Sequence, residues 1–215
     1  TDEMYCVYLG KTVGTVSPSA NSITNAMMTD DSVGLAELSA TGTASSSTFL
    51  RGDNSWASAG GTNTPYFQAS ITSNQSLTHD TTTKINFDRA DVDSASGYDT
   101  SNKRYTIPSG QGGLYHIGYT LYMQTTGDNL WITAVYPRKN GSNFPNFNSR
   151  QQGAFYARMD GNPVRDASPT KSFIANLSAG DYIEIYGNGA HTSGGSSTIT
   201  AGEYYSIFWG YKLIT

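Results

Sequence analysis

The chain has 215 residues, of which 37% are hydrophobic and only 14% charged, and its formal net charge is −4. No Lys/Arg cluster makes a nucleic-acid footprint, and no apolar run reaches the roughly 18 residues that a membrane span needs. A lone Cys6 excludes an intrachain disulfide. With 23 Gly and 15 Tyr and no long stretch of helix formers, the composition favours strands and turns.

The chain opens on Thr1 rather than Met, as expected of a processed product or a piece of a longer protein, and no signal-peptide pattern follows. Residues 1–56 are thin in large apolar side chains and contain an internal repeat. NSITNAMMTD at 21–30 is followed at once by DSVGLAELSA at 31–40, so that Ile23 aligns with Val33 and Met28 with Leu38. A unit with two large apolar positions cannot enclose a core in one chain, whereas three chains side by side repeat each position around an axis. The segment continues through a Thr/Ala/Ser stretch into FLRGD at 49–53 and Trp56. Arg51-Gly52-Asp53 is expected to be a tight turn with a local Arg–Asp pair, and Phe49, Leu50 and Trp56 a small apolar plug. Residues 57–65 are a small-residue linker.

From residue 66 onward short alternating strands are expected. Tyr66–Ser70, Thr83–Phe87 and Arg104–Ile107 come first, the last ended by Pro108. In Leu114–Met123 the odd positions share one face. Leu130–Tyr136 is expected to close at Pro137, before an Asn140-Gly141 hairpin turn. Phe155–Met159, Ser172–Leu177 and Tyr182–Tyr186 follow, and Tyr204–Leu213 closes the series. Strands at this spacing mean a sandwich or barrel.

Two resemblances add to this pattern. The repeat and the FLRGD-x-x-W segment, about Gly14–Trp56, resemble bacteriophage tail-fibre proteins. The order Tyr98-Asp99, Tyr105-Thr106-Ile107-Pro108, Gly113-Leu114-Tyr115, Leu177-Ser178-Ala179-Gly180-Asp181 and Ser206-x-Phe208-x-Gly210-Tyr211-x-Leu213 resembles the heads of complement subcomponent q and tumour-necrosis-factor-like proteins, over residues 66–215. No Gly-X-Y collagen repeat precedes it here. The resemblance implies an all-β, ten-stranded jelly-roll β-sandwich, working as a homotrimer behind a short fibrous shaft. It further implies a virion structural protein, part of a tail or capsid fibre, that acts extracellularly. Its partners would be itself, upstream fibre or virion proteins, and a host surface receptor, either a glycan or an outer-membrane protein. A purely structural trimerisation cap and a secreted bacterial adhesin or lectin are the alternatives.

Candidate residues at the trimer axis are Tyr115, Tyr119, Tyr205, Phe208 and Tyr211, divided between core and interface. Candidate receptor contacts are Asp128 and Asn129 in one loop; Asn140, Asn143, Phe144 and Phe147 in a second; and Asn188 and His191 in a third, Gly187–Ser197. Their Asn/Ser/Gly/aromatic chemistry suits adaptable recognition. Asp88, Asp91 and Asp93 form an acidic stretch that could hold calcium or simply shape a solvated loop. His79, His116 and His191 are far apart in sequence and have no partner at metal-ligand spacing. No GxSxG, HExxH or P-loop pattern occurs, so neither enzymatic activity nor a cofactor is expected.

Overall fold

The structure, a computed structural model, describes residues 1, 3–4, 19–20, 22–30, 32–34, 37–58, 63–127, 129–144, 146–147, 150–151, 153–159, 161–192 and 196–213, with the backbone alone at 25, 146, 147, 150 and 151. The chain divides into two compact units, Thr1–Ala59 and Gly60–Thr215.

The first unit holds a three-residue 3-10 turn, Asn25–Met27, and a hairpin of β1 (Thr48–Leu50) and β2 (Trp56–Ser58). Between the strands, Arg51-Gly52-Asp53 lies in the hairpin turn. The Arg51 N–H donates to Ser55 O at 2.8 Å, and Asn54 takes a φ of 60°. Asp53 accepts from both the hydroxyl and the amide of Ser55, which hold its carboxyl below the usual range, and its other oxygen is 3.9 Å from Arg51. Phe49 and Leu50 are exposed within this unit, and Trp56, opposite Leu50 in the hairpin, is half-buried. The repeat leaves Ile23, Met28 and Val33 exposed as well, as two apolar positions per unit dictate.

In the second unit β3 (Tyr66–Ser70), β4 (Gln75–Leu77), β5 (Thr83–Lys84), β6 (Arg89–Asp93), β7 (Tyr98–Asp99) and β8 (Arg104–Thr106) come first. They are followed by β9 (Gly113–Thr120), β10 (Met123–Thr125), β11 (Leu130–Lys139), β12 (Ser142–Asn143), β13 (Asn146–Phe147), β14 (Arg150–Gln151) and β15 (Phe155–Arg158). The series ends with β16 (Asp166–Ala167), β17 (Thr170–Leu177), β18 (Tyr182–His191), β19 (Ser197–Ile199) and β20 (Ile207–Lys212). No α-helix occurs among the described residues.

These strands form a jelly-roll β-sandwich. One sheet runs β17-β9-β20-β3-β6, placing the first long strand beside the last. The opposing sheet runs β12-β11-β18-β8-β7, with β15 on β11 and β5 on β18, and a small sheet, β16-β10-β19-β4, extends the sandwich. Alternation directs one side of each strand inward. Phe67 of β3 stacks on Tyr105 of β8 across the layers at 3.9 Å, and Phe208 of β20 meets Phe67 edge-on at 4.9 Å. Each large side chain buried there contributes about 1.5–3 kcal/mol.

Several expected boundaries move: Thr83–Phe87 is a strand only at Thr83–Lys84, Leu114–Met123 is divided between β9 and β10, the closing strand begins at Ile207 rather than Tyr204, and two further strands lengthen. The strand at Leu130 continues through Pro137 to Lys139, paired with β18 throughout. The carbonyl of Ile185, opposite Pro137, accepts from Ile85 on the far side of β18. The Pro137–Ile185 pair is therefore one that exchanges no backbone hydrogen bonds, and the absent proline N–H leaves no gap toward β18. Likewise β18 does not end at Tyr186 but runs to His191. Its glycines serve packing, not a turn. A Cβ at Gly187 would meet Ile85 Cδ1 at 2.8 Å, and one at Gly189 would meet Ser197 Oγ at 2.5 Å. The predicted Asn140-Gly141 turn is present, with φ values of 52° and 78°, and Lys139 pairs with Ser142 across it.

Candidate binding surfaces

The outward side of the five-stranded sheet is aromatic and open. Register places Ile174, His116, Tyr211 and Tyr66 in one row across four neighbouring strands. The adjoining row is Ser172, Gly118, Trp209, Gln68 and Val92. His116 Nδ1 lies 3.0 Å from the Tyr211 hydroxyl, and its ring meets Trp209 edge-on at 5.1 Å. Trp209 and Tyr211 stack at 6.2 Å. The indole lies flat over Gly118, where a Cβ would come within 2.2 Å of Trp209 Cζ2. Tyr66 remains 45% exposed and Ile174 52%, and Val92 and Leu114 are exposed too.

This face corrects the expected interface set. Tyr115, Tyr119 and Phe208 are 0% exposed and fill the core of a single head. The Tyr115 hydroxyl donates to Gln111 O at 2.7 Å, and burial pushes its pKa up to about 12. The Tyr119 hydroxyl donates to Gly153 O at 2.7 Å, and burial raises its pKa also. Their sheet neighbours one position along point outward instead, as period-two alternation requires. Tyr211 lies on the open face, and Tyr205, just before β20, is exposed with its ring 5.6 Å from that of Tyr122.

The expected receptor residues divide as well. Asp128 and the side chain of Phe147 lie outside the described residues. Asn129 is half-buried, and its carbonyl accepts from the Thr192 N–H at 2.9 Å. Asn140 is exposed, but its side chain is engaged within the fold: the amide donates to Asp181 at 2.8 Å and the oxygen accepts from the Tyr182 N–H at 2.9 Å. Asn143 is exposed on β12. Phe144 is not a loop contact: it is 3% exposed and packs edge-on against Phe173 at 5.2 Å. Asn188 and His191 lie buried in β18 rather than in a loop, because that strand extends past its glycines. The Asn188 amide donates to Asp80 at 3.2 Å.

Distance in sequence misled about the histidines. His79 and His191, 112 positions apart, have their Nδ1 atoms 3.1 Å from each other. The His191 backbone N–H also donates to His79 Nδ1 at 3.1 Å. That bond assigns His79 its Nε2–H tautomer and makes His191 Nδ1 the protonated partner. Burial, then the neighbouring imidazole, hold the pKa of His191 below 6.5. No local pattern signals this pair, since strand topology alone assembles it. His116 lies opposite the odd, core-facing positions of β9, as expected.

The acidic stretch separates into three structural roles. Asp88 accepts from the amide and hydroxyl of Thr72 at 2.8 and 2.7 Å. Asp91 takes Arg89 Nε at 2.6 Å and the Ser70 hydroxyl at 2.9 Å. Asp93 accepts from the Tyr98 N–H at 2.8 Å. No group of three metal-ligating side chains occurs among the described residues.

A further concavity, of about 430 Å³, lies over the small sheet and is lined by Asn74, Tyr122, Gln124, Arg165, Asp166 and Thr198 with further Thr and Ser residues. Nothing in the spacing of these residues along the chain announces it.

No family model matches the sequence, and no curated protein matches it. Among solved structures the chain is similar to the globular domain of zebrafish complement 1qA protein, at 9% identity over 69% of this chain and 97% of that one, with a TM-score of 0.46. It is similar also to Eiger TNF from S. frugiperda, at 13% identity over 69% and 93%, with a TM-score of 0.44. Murine APRIL, in a crystal structure at pH 5.0, matches at 11% identity over 69% and 99%, with a TM-score of 0.47.

Proposed function

We propose that this chain is part of a trimeric phage fibre, whose head self-associates and contacts a host-cell surface component without performing chemistry. The observation that carries the reading is the open aromatic face of the β17-β9-β20-β3-β6 sheet. Its rows carry Tyr66, Tyr211, Ile174 and Trp209; Trp209 and Tyr211 stack on each other, and Tyr66 and Ile174 remain about half exposed. Burial of such side chains supplies about 1.5–3 kcal/mol each, and threefold association repeats that gain at every contact. The threefold order and the fibre setting follow the sequence resemblances. The exposed Ile23, Met28 and Val33 of the first unit support them, because a fibrous repeat of this kind needs other copies to shield it.

A trimeric head presents any weak surface site three times on one rigid body, so avidity can stand where single-site affinity is low. The test is solution mass by light scattering on a sizing column. The expected result is a particle of three times 23.1 kDa. A single-chain mass at micromolar concentration overturns the assembly and, with it, the multivalent mode of binding.

A further inference from the structure

We propose that the concavity over the small sheet is a carbohydrate site that takes a neutral, hydroxyl-rich ligand; this rests on the surface-binding reading above and names its ligand class. Alternation in β4, β10, β16 and β19 turns Leu77, Met123, Ser197 and Ile199 into the sandwich. It brings Asp166, Gln124, Thr198 and Ser76 into one outward cross-strand row, in that order. Carboxylate, amide and two hydroxyls thus stand on adjacent strands about 5 Å apart. Asn74 and Arg165 border the row, and Tyr122 supplies a ring at one end.

The lining selects by exclusion. No aliphatic side chain contributes among its described lining residues, so beyond the Tyr122 ring an apolar ligand finds little to bury against. Among those described residues the charged groups pair with each other: Arg165 Nε and Nη2 both reach Asp166 Oδ2, at 2.9 and 2.7 Å. A phosphate meets a neutralised arginine, and a cation meets a neutralised carboxylate. What remains are amide, hydroxyl and ion-paired groups offering donors and acceptors together, with an aromatic face beside them, which matches sugar hydroxyls and the apolar face of a sugar ring. The volume falls within the range of roughly 300–1,000 Å³ usual for small-ligand sites.

The frame is rigid before any ligand arrives. The Thr125 N–H donates to Arg165 O at 2.8 Å, Thr200 N–H to Tyr122 O at 2.9 Å, and Ala201 N–H to the Asn74 side-chain oxygen at 2.8 Å. The Tyr122 N–H donates to the Ser206 hydroxyl at 3.1 Å. Tyr204 and Tyr205 are exposed beyond Tyr122, and the Tyr122–Tyr205 ring pair prolongs the aromatic edge outward. Such preorganisation lowers the ordering cost of binding.

Saturation-transfer NMR on the full chain tests this, with glucose, galactose, N-acetylglucosamine, N-acetylgalactosamine and their disaccharides as probes, and inorganic phosphate as the charged comparison. We expect transfer to at least one neutral sugar, none to phosphate, and about tenfold weaker binding on Gln124→Ala or Thr198→Ala. Both side chains point away from the core, so the variants should fold, and the protein spectrum reports that directly. Absence of transfer to every sugar overturns the inference, as does transfer unchanged in both variants. Labelling of bacterial cells with the fluorescent chain separates the two levels. Labelling that neutral sugars and the variants leave intact overturns the carbohydrate site while the surface-binding reading stands. Sugar binding without labelling of any cell type supports the site and overturns the host-binding reading.

Discussion

The two broad faces of the head treat their aromatic residues in opposite ways. On the outer side of the seven-stranded sheet three large rings have a cation over them, while among the described residues Tyr136 and the exposed Tyr156 on that side have none. Arg138 lies 3.8 Å above Tyr186, Arg104 4.3 Å above Tyr182, and Arg158 4.9 Å above Trp131. Ion pairs complete that surface: Lys84 bonds Glu184, and Lys139 reaches Asp181 at 2.6 Å. Guanidinium stems cover apolar area while their charged heads remain in water. On the five-stranded sheet no cation lies over Tyr66, Trp209 or Tyr211 among the described residues, and the rings of Trp209 and Tyr211 are ordered by each other and by His116. The first face has part of its aromatic surface covered by cations of its own chain; among the described residues no cation lies over a ring of the second.

The comparison breaks most sharply at two adjacent residues of β20. Phe208 points into the core and Trp209 away from it. Phe208→Ala should cost about 3–5 kcal/mol and lower the denaturation midpoint of every head. On the open face the informative change is Tyr66→Lys with Ile174→Lys, which puts charges at both ends of one row without touching the core. Enclosing unpaired ammonium groups at a contact costs several kcal/mol each. The expected outcome is a single-chain mass with an unaltered far-ultraviolet spectrum. A threefold mass retained by that double variant would remove this sheet face from the assembly.

The alternation that fixes these roles was legible in the sequence at β9 and β20, but its polarity was not. Tyr115, Ile117 and Tyr119 share a face by period alone. Whether that face meets the opposing sheet or another chain depends on where the second layer lies, which no local pattern states. The loops failed for a related reason. Gly187 and Gly189 look like turn residues, whereas close approach of Ile85 and Ser197 is what excludes a side chain there. Pro137 looked like a stop because its partner's bonding direction could not be known in advance. The Asn140-Gly141 turn was legible because its φ requirement is local. The His79–His191 contact and the cross-strand row Asp166-Gln124-Thr198-Ser76 are products of topology, so neither had a sequence signature.

A smaller change sharpens the comparison from the cation-covered side. Arg138→Ala uncovers Tyr186 and should cost about 0.5–1 kcal/mol in denaturant unfolding, while the solution mass stays at its wild-type value. Loss of assembly in this variant would mean that both faces, not one, serve association.

The smallest expected effect is a slope with pH, and its sign follows from the histidine pair. His191 is buried beside His79, and its pKa in the folded chain lies below the 6.5 of a free imidazole. In the window between those two values the unfolded chain binds more protons than the folded one, so stability rises with pH there. The contribution is complete above about 6.5 and is lost as pH falls through the folded value. The carboxylates titrate in a separate, lower window. Burial alone would raise Asp88, and the Thr72 hydroxyl and amide outweigh it, so its pKa lies below 3.8. Asp181 is likewise raised by burial and lowered further by Lys139, Ser178 and Asn140, ending below 3.8. Their stabilisation is present above 3.8 and is lost only as pH falls below that range. His191→Phe keeps the site apolar and removes the titrating group, so denaturation midpoints measured from pH 7.5 to 5 should lose their slope in that variant. A slope of unchanged size would assign the effect to other groups and leave the pair a packing contact alone.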